Sequence, residues 1–258
     1  MSEALEHRET ARLRDLLAEL EAERATLEAE LAAFHAEYMR HVGTVMARVH
    51  ELEARILAIV AERSGAAGDA RAAAAAREQA RKTTAEVRAI PAPGRPLPTA
   101  DLKRLFREAA KRMHPDLASD ERARRHAEAF MKRLNQAYRG GDADAIQDLV
   151  LQWDASPYAL APVEAGAAPA AREVSALRAA VERAQRRLDE LRASELAEML
   201  ERAMATAASG GDFLAEMRAD AETALAQRQA RLAELTATRT VPRGEEGRPP
   251  HGPAARPE

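Results

Sequence analysis

The stretch LFREAAKRMHPDLASDERARRHAEAFMKRLNQAY, residues 105–138, decides the fold of this chain. It contains two helix-forming segments, because apolar side chains recur every three or four residues on both sides of the His-Pro-Asp tripeptide at 114–116. Pro115 disfavours helix at the residue before it, so the first helix is expected to end at about Met113. Ser119 is the expected N-cap of the second helix, which has acidic residues in its first turn.

Each segment has one apolar stripe, and the first segment is expected to begin at Thr99 or Asp101. The stripes consist of Leu102, Leu105, Phe106, Ala109 and Met113 in the first segment and Ala123, Ala127, Phe130, Met131, Leu134 and Tyr138 in the second. If the stripes face each other, they form an antiparallel hairpin with the tripeptide exposed at its tip. Ile146 and Trp153 are expected to close the small core.

The first helix of this hairpin is strongly basic. Lys103, Arg107 and Lys111 are four residues apart and line one face, while Arg104 and Arg112 flank that face. Residues 101–139 carry 11 basic and 6 acidic side chains, net +5, whereas residues 1–63 carry 8 and 13, net −5. The chain as a whole has a net charge of −3, which gives no general preference for nucleic acid or acidic membranes.

Coiled-coil patterns flank the hairpin on both sides. Apolar residues follow steps of three, four and seven at Leu13, Leu17, Leu20, Leu27, Leu31, Phe34, Tyr38, Val45, Val49, Leu52, Ile56 and Ile59, and again at Val174, Leu177, Val181, Ala184, Leu188 and Leu191. Arg24 and His41 are polar positions in the first seam. A lone amphipathic helix does not stay folded in water, so the N- and C-terminal helices should pair with each other or with a second copy of the chain.

The fold class expected from these patterns is all-α: long coiled-coil helices flanking a small helical hairpin. The predicted segments are N-terminal coiled-coil helices at 1–89, a proline-rich linker at 90–100, the central module at 101–153, a second linker at 154–170, a C-terminal helical hairpin or coiled coil at 171–238 and a disordered tail at 239–258. Breaks are expected at SGAAGDA, residues 64–70, and at SGGD, residues 209–212.

The segments LKRLFREAAKRMHPD and MKRLNQAY resemble the second helix, the His-Pro-Asp loop and the third helix of the J-domain, the module of DnaJ-type co-chaperones. The flanking EYMRHVGTVMARVHELEARI and ASELAEMLERAM are similar to segments of uncharacterised bacterial coiled-coil J-domain proteins. The usual first helix of the J-domain is absent, Glu108 stands where a basic residue is common, and Met131 stands where phenylalanine is usual. A coiled-coil helix is expected to replace the missing helix and to cover Leu105 and Met131.

The resemblance implies a non-enzymatic co-chaperone that docks a DnaK-type ATPase and stimulates its ATP hydrolysis. Asp116 would contact an arginine of the chaperone, His114 and Pro115 would hold the shape of the loop, and the basic face would meet an acidic surface. The implied partner-binding residues are His114, Pro115, Asp116, Lys103, Arg104, Arg107, Lys111 and Arg112. The client protein is not identified by the sequence.

Two other classes of protein remain open. One is a structural coiled-coil adaptor with a degenerate, non-stimulating hairpin. The other is a nucleic-acid-associated scaffold that uses the basic centre, although this centre lacks interleaved aromatic residues and nucleic acid is not the expected partner.

No catalytic activity, cofactor or metal is expected. No nucleophile–base arrangement is visible, and the histidines do not cluster with carboxylates at ligand spacing. The chain has no cysteine, its first residues MSEALEHRET are polar, and no apolar run approaches the ~20 residues that cross a membrane. These features predict a cytoplasmic protein that makes no membrane contact.

Overall fold

The computed structural model describes residues 2–91, 97–118, 120–159 and 167–237. Within these residues every regular element is helical, so the predicted all-α fold is confirmed. The described part of the chain has no helix that is long and apolar enough to cross a membrane. The helices are α1 (Ser2–Tyr38), a π-helical segment (Met39–Gly43), α2 (Thr44–Ser64), α3 (Ala67–Arg88), α4 (Ala100–Met113), a 3₁₀ turn (Pro115–Leu117), α5 (Glu121–Gly140), α6 (Ala143–Asp154), α7 (Ala167–Arg192), α8 (Glu195–Ala208) and α9 (Phe213–Ala237).

The chain divides into two compact units. Unit 1 comprises Met1–Arg40 and Ile90–Leu214, and unit 2 comprises His41–Ala89 and Ala215–Glu258. Each unit therefore combines helices from more than one of the segments predicted from the sequence. The predicted tail at 239–258 lies outside the described residues.

Helices α4 and α5 of unit 1 form the predicted hairpin. Helix α4 begins at the predicted position, where the Thr99 hydroxyl accepts a hydrogen bond from the backbone N–H of Leu102 at 3.2 Å. The predicted N-cap of α5 is wrong: Asp120 occupies this position, and its carboxylate accepts hydrogen bonds from the N–H groups of the second and third following residues, both at 2.8 Å. A carboxylate gains more than a hydroxyl from the positive end of the helix dipole. Ser119 itself lies outside the described residues.

The hairpin and α6 enclose an aromatic core. Phe106 and Tyr138 are completely buried, and their ring centroids lie 4.7 Å apart. Ile146 and Trp153 of α6 are also buried and close this core, as predicted. The core therefore combines residues of three helices that are close in sequence.

Helix α1 covers one side of this core with small side chains. Ala18, Ala22 and Ala25 belong to the same buried cluster as Met131, and Leu105 is packed against it. Alanine lets two helices approach closely, which explains how α1 lies against α4 and α5. A helix of the N-terminal segment therefore packs on the hairpin beside Leu105 and Met131, as expected, while its coiled-coil character stays a prediction.

Helix α7 packs against another side of α1. A small cluster of buried leucine and alanine side chains forms this contact: Leu17, Leu20, Leu177, Ala180, Ala184 and Leu188. Helix α7 starts at Ala167, four residues before the predicted start. A break after α7 was not predicted; there Ser194 caps α8 by accepting a hydrogen bond from the N–H of Ala197 at 3.3 Å.

Unit 2 is built around the hairpin of α2 and α3. The turn between them is shorter than the predicted break, because Gly65 ends α2 in the left-handed conformation and α3 begins at Ala67. His50 Nδ1 lies 2.9 Å from the hydroxyl of Thr83 and links the two helices. Arg228 of α9 forms an ion pair with Glu53 of α2 at 2.5 Å.

Candidate docking surface

The bend between α4 and α5 is a single 3₁₀ turn over Pro115–Leu117. His114 ends α4 in an extended backbone conformation, as expected for a residue that precedes proline. Its ring nitrogen Nδ1 accepts a hydrogen bond from the backbone N–H of Asp116 at 3.1 Å. Because Nδ1 is an acceptor here, the neutral ring carries its proton on Nε2. The side chain of His114 therefore fixes the shape of the bend.

The other ring nitrogen of His114 faces a buried carboxylate. Nε2 lies 3.6 Å from Oε1 of Glu21 in α1, and the two side chains are only 5% and 3% exposed. Oε2 of Glu21 accepts a hydrogen bond from Arg24 at 2.7 Å, and Oε1 accepts one from Arg187 of α7 at 2.8 Å. Groups from α1, α7 and the bend therefore converge on one carboxylate.

The pKa of Glu21 is set by two opposing effects. Burial alone would raise this pKa, because it disfavours the charged form. The neighbouring ring of His114 and the charge of Arg24 outweigh burial and hold the pKa of Glu21 below its ordinary value of 4.5. Glu21 is consequently a carboxylate at neutral pH and ties the bend to α1.

Asp116 is the second charged group of the bend, and α7 covers it. Oδ2 of Asp116 accepts a hydrogen bond from the guanidinium of Arg183 at 3.0 Å, and the Asp116 side chain is only 12% exposed. The next residue, Leu117, packs against the apolar cluster between α1 and α7. The prediction that the tripeptide is exposed at the tip of the hairpin is therefore wrong, because Glu21 and α7 cover it.

Carboxylates of α1 border the basic face of α4. Arg107 and Lys103 lie 2.5 and 3.7 Å from the carboxylate of Glu19. Lys111 lies 2.9 Å from Asp15, one turn earlier in α1. The hydrogen bond with Arg107 lowers the pKa of Glu19, and the hydrogen bond with Asp15 raises the pKa of Lys111. All three basic residues of this face are therefore engaged by α1, although each keeps about a third of its side chain exposed.

The two flanking arginines are more open. Arg104 lies 3.4 Å from Asp101 of its own helix and is 66% exposed. Arg112 lies 2.8 Å from Asp154 at the end of α6 and is 51% exposed. Neither of them contacts α1 or α7 through an ion pair in the described part of the chain. All eight predicted residues lie on α4 or the bend, but they differ in how far other helices cover them.

Sequence reasoning missed the residues that cover this surface. Glu19 and Glu21 are two of the 13 acidic residues at 1–63, which entered the predictions only as a net charge. The spacing of Glu21, Arg24 and Glu28 could have indicated an ion-pair network, because residues three and four apart are neighbours on a helix. No comparable signal marks Arg183, since its contact joins residues that are 67 positions apart.

The bend and the basic face of α4 do not line an enclosed pocket. A largely apolar cavity of about 480 Å³ lies elsewhere in unit 1, next to Phe34, Leu200 and Met204, and none of the eight predicted residues lines it. Among the described residues, no group of three or more histidine or acidic side chains is placed to hold a metal ion. The chemistry available at the bend is hydrogen bonding and ion pairing.

Comparison of the chain with protein-family models, with curated proteins and with solved structures found no match.

Proposed function

We propose that this protein is a co-chaperone that docks a DnaK-type ATPase through α4 and the bend and stimulates its ATP hydrolysis. One observation carries the proposal: the bend holds Asp116 against a guanidinium, while the basic face of α4 lies against carboxylates. These are the two kinds of group that the J-domain resemblance assigns to the chaperone. The side chains thus make, within the chain, the kinds of contact that the proposal assigns to a partner.

The packing of α1 supports this proposal. A hairpin of two helices needs a third element to bury its apolar side, and the first helix of the J-domain is absent from the sequence. Ala18, Ala22 and Ala25 of α1 supply this cover and complete the core around Phe106. The bend and the basic face can therefore keep a fixed shape without the usual first helix.

The proposed place of action is the cytoplasm, where ATP is available to the chaperone. The coiled-coil helices would hold a client protein and bring the ATPase to it. Nucleic acid is not part of this proposal, since the basic centre lacks interleaved aromatic residues.

A structural adaptor is the second candidate, and a specific observation favours it. His114 is buried, Asp116 is paired with Arg183, and Glu19 binds two basic residues of α4. In an adaptor, these contacts would serve only to join the hairpin to α1 and α7. The two candidates differ in whether the bend acts on a second protein.

Single-turnover ATP hydrolysis by a DnaK-type chaperone tests the proposal. The full chain is added at increasing concentration, and the Asp116→Asn variant is measured beside it. We expect the wild type to accelerate hydrolysis and the variant to lose at least about tenfold in stimulation, because a hydrogen bond to a charged group contributes roughly 1.5–3 kcal/mol.

Asp148→Asn is the matched control, because it makes the same substitution at an exposed position of α6 in the same unit. It should stimulate like the wild type. Circular dichroism of all three proteins checks that the helices are intact. Equal stimulation by the wild type and Asp116→Asn would reject the proposal and favour the adaptor.

A further inference from the structure

Helix α7 occupies the side of the bend that a partner would have to reach. Its Arg183 binds the Asp116 carboxylate at 3.0 Å, and the apolar cluster that it shares with α1 takes up Leu117. One turn further along α7, Arg187 binds Glu21, the carboxylate that faces the His114 ring. While Arg183 is in place, it competes with any arginine of a second protein for the largely buried Asp116 carboxylate.

We propose that α7 is an autoinhibitory cover, with Arg183 standing in for the arginine of the partner, and that the bend becomes available when α7 moves away. This inference rests on the proposed function, because only a docking surface can be inhibited by being covered. The proposed function concerns what the surface binds, whereas the cover determines when the surface is accessible.

The contacts between α7 and α1 are of a kind that can be released. Among the described residues, four ion pairs join the two helices, and five of their eight side chains are more than two-fifths exposed, although Glu21 is buried: Arg178 with Glu9, Glu173 with Arg14, Arg187 with Glu21 and Arg192 with Glu23. Exposed ion pairs contribute little individually and are screened by salt. The shared apolar cluster is small and consists of leucine and alanine.

The core of the hairpin does not depend on α7. The cluster around Phe106 and Tyr138 contains residues of α1, α4, α5 and α6 but none of α7. The Nδ1 contact that shapes the bend is internal to it. Removal of α7 would therefore expose Asp116 and leave the hairpin folded, which is what a releasable cover requires.

The test is the Arg183→Glu variant of the full chain, which replaces the attraction for Asp116 with repulsion. Arg186→Glu is the control, since it makes the same charge change on the same helix at an exposed position for which the described residues provide no ion pair. Amide hydrogen exchange of residues 114–118 and 174–192 measures opening without any partner. Stimulation of ATP hydrolysis by a DnaK-type chaperone measures the consequence.

We expect Arg183→Glu to speed amide exchange in both segments. It should also lower the half-saturating concentration for ATPase stimulation by at least about twofold. The apparent affinity of a protein rises in proportion to the fraction of molecules in its competent state. Adding Asp116→Asn to this variant should abolish the gain. Arg186→Glu should match the wild type in both measurements.

Three results would overturn the inference. The first is wild-type exchange and wild-type half-saturation in Arg183→Glu. The second is faster exchange without a change in half-saturation, which would mean that α7 does not obstruct docking. The third is an equal effect of Arg186→Glu, which would mean that the net charge of α7, and not the contact between Arg183 and Asp116, causes the change. If exchange shows opening but neither protein accelerates hydrolysis, the proposed function itself is wrong, and the autoinhibitory role falls with it.

Discussion

The two helical hairpins of this chain bury very different side chains. The hairpin of α4 and α5 encloses Phe106, Met113 and Tyr138, each completely buried. The hairpin of α2 and α3 buries mainly valine and alanine, and helix α3 contributes only Ala73, Ala80 and Thr83. Burial of large apolar surface supplies most of the free energy of folding, so the larger core can offset the cost of a buried carboxylate and a buried histidine at its edge.

Glu21 and His114 are such polar groups. They are buried at the edge of the aromatic core, where each must find a partner to offset the loss of water. In the α2–α3 hairpin, the comparable polar contact is the part-buried hydrogen bond between His50 and Thr83. The charged groups of the bend are thus held where a large apolar core lies beneath them.

The largest effect is expected from truncating the aromatic core. Phe106→Ala should lower the free energy of unfolding by about 3–5 kcal/mol, because it leaves a cavity beside Tyr138. Val49→Ala in the α2–α3 hairpin should cost about 1–2 kcal/mol. Urea unfolding followed by circular dichroism measures the loss, and amide exchange assigns it to one hairpin or the other. Equal losses would contradict the difference between the two cores.

The buried carboxylate gives the next largest effect. Glu21→Ala leaves Arg24 and His114 without their shared partner, and we expect a loss of about 2 kcal/mol, less than for a fully buried pair because Arg187 is partly exposed. Glu23→Ala, two residues along the same helix, removes only a surface pair with Arg192 and should cost less than about 0.5 kcal/mol. Thermal unfolding of both variants checks this. A loss at Glu23 as large as that at Glu21 would show that burial of the carboxylate is unimportant.

Low pH should reduce the stability of unit 1 through protonation of Glu21. The pKa of Glu21 is lower in the folded protein than its ordinary value of 4.5, so the unfolded chain binds more protons as the pH falls. The stabilisation is complete above about pH 5 and is lost progressively below pH 4.5, by about 1–2 kcal/mol near pH 3. The thermal midpoint of Glu21→Gln should fall less steeply over this range. Glu128→Gln, an exposed carboxylate of α5, should keep the slope of the wild type, and a wild-type slope in Glu21→Gln would contradict the assignment.

Much of the α4–α5 hairpin could be predicted from local sequence. The apolar spacing predicted both stripes, Pro115 predicted the end of α4 at Met113, and Thr99 predicted its beginning. These features depend on neighbours within one or two turns, which is the range that periodicity and capping rules describe. The prediction of Ser119 as the N-cap of α5 was wrong because Ser119 and Asp120 are adjacent and both have side chains suited to capping.

The cover over the bend could not be predicted from the sequence. Asp116 and Arg183 are far apart along the chain, and many other arginines could have paired with the same carboxylate. The packing of α7 on α1 depends on leucines and alanines that also fit a coiled coil between two chains. Local patterns therefore predicted which residues form the bend but not whether the bend is accessible.

The smallest effect concerns the turn of the α2–α3 hairpin. Gly65 has a φ of +65°, and no atom lies within 4 Å of the position where a Cβ would stand. Gly65→Ala should therefore cost about 1 kcal/mol from backbone strain alone. Gly68, three residues later, lies in the first turn of α3 with equally open surroundings. Gly68→Ala should stabilise the hairpin by about 0.5 kcal/mol, because alanine loses less backbone freedom on folding.

These two substitutions add the same methyl group at exposed positions of one turn, so the sign of the change separates conformation from packing. Amide exchange of α2 and α3 measures both variants against the wild type. The protection of the α4–α5 hairpin gives an internal reference, since neither glycine contributes to the cluster around Phe106. If both variants destabilised α2 and α3, the cause would be lost space at the turn rather than the left-handed backbone of Gly65. Opposite signs would show that this weaker hairpin depends on its turn as well as on its alanine-rich core.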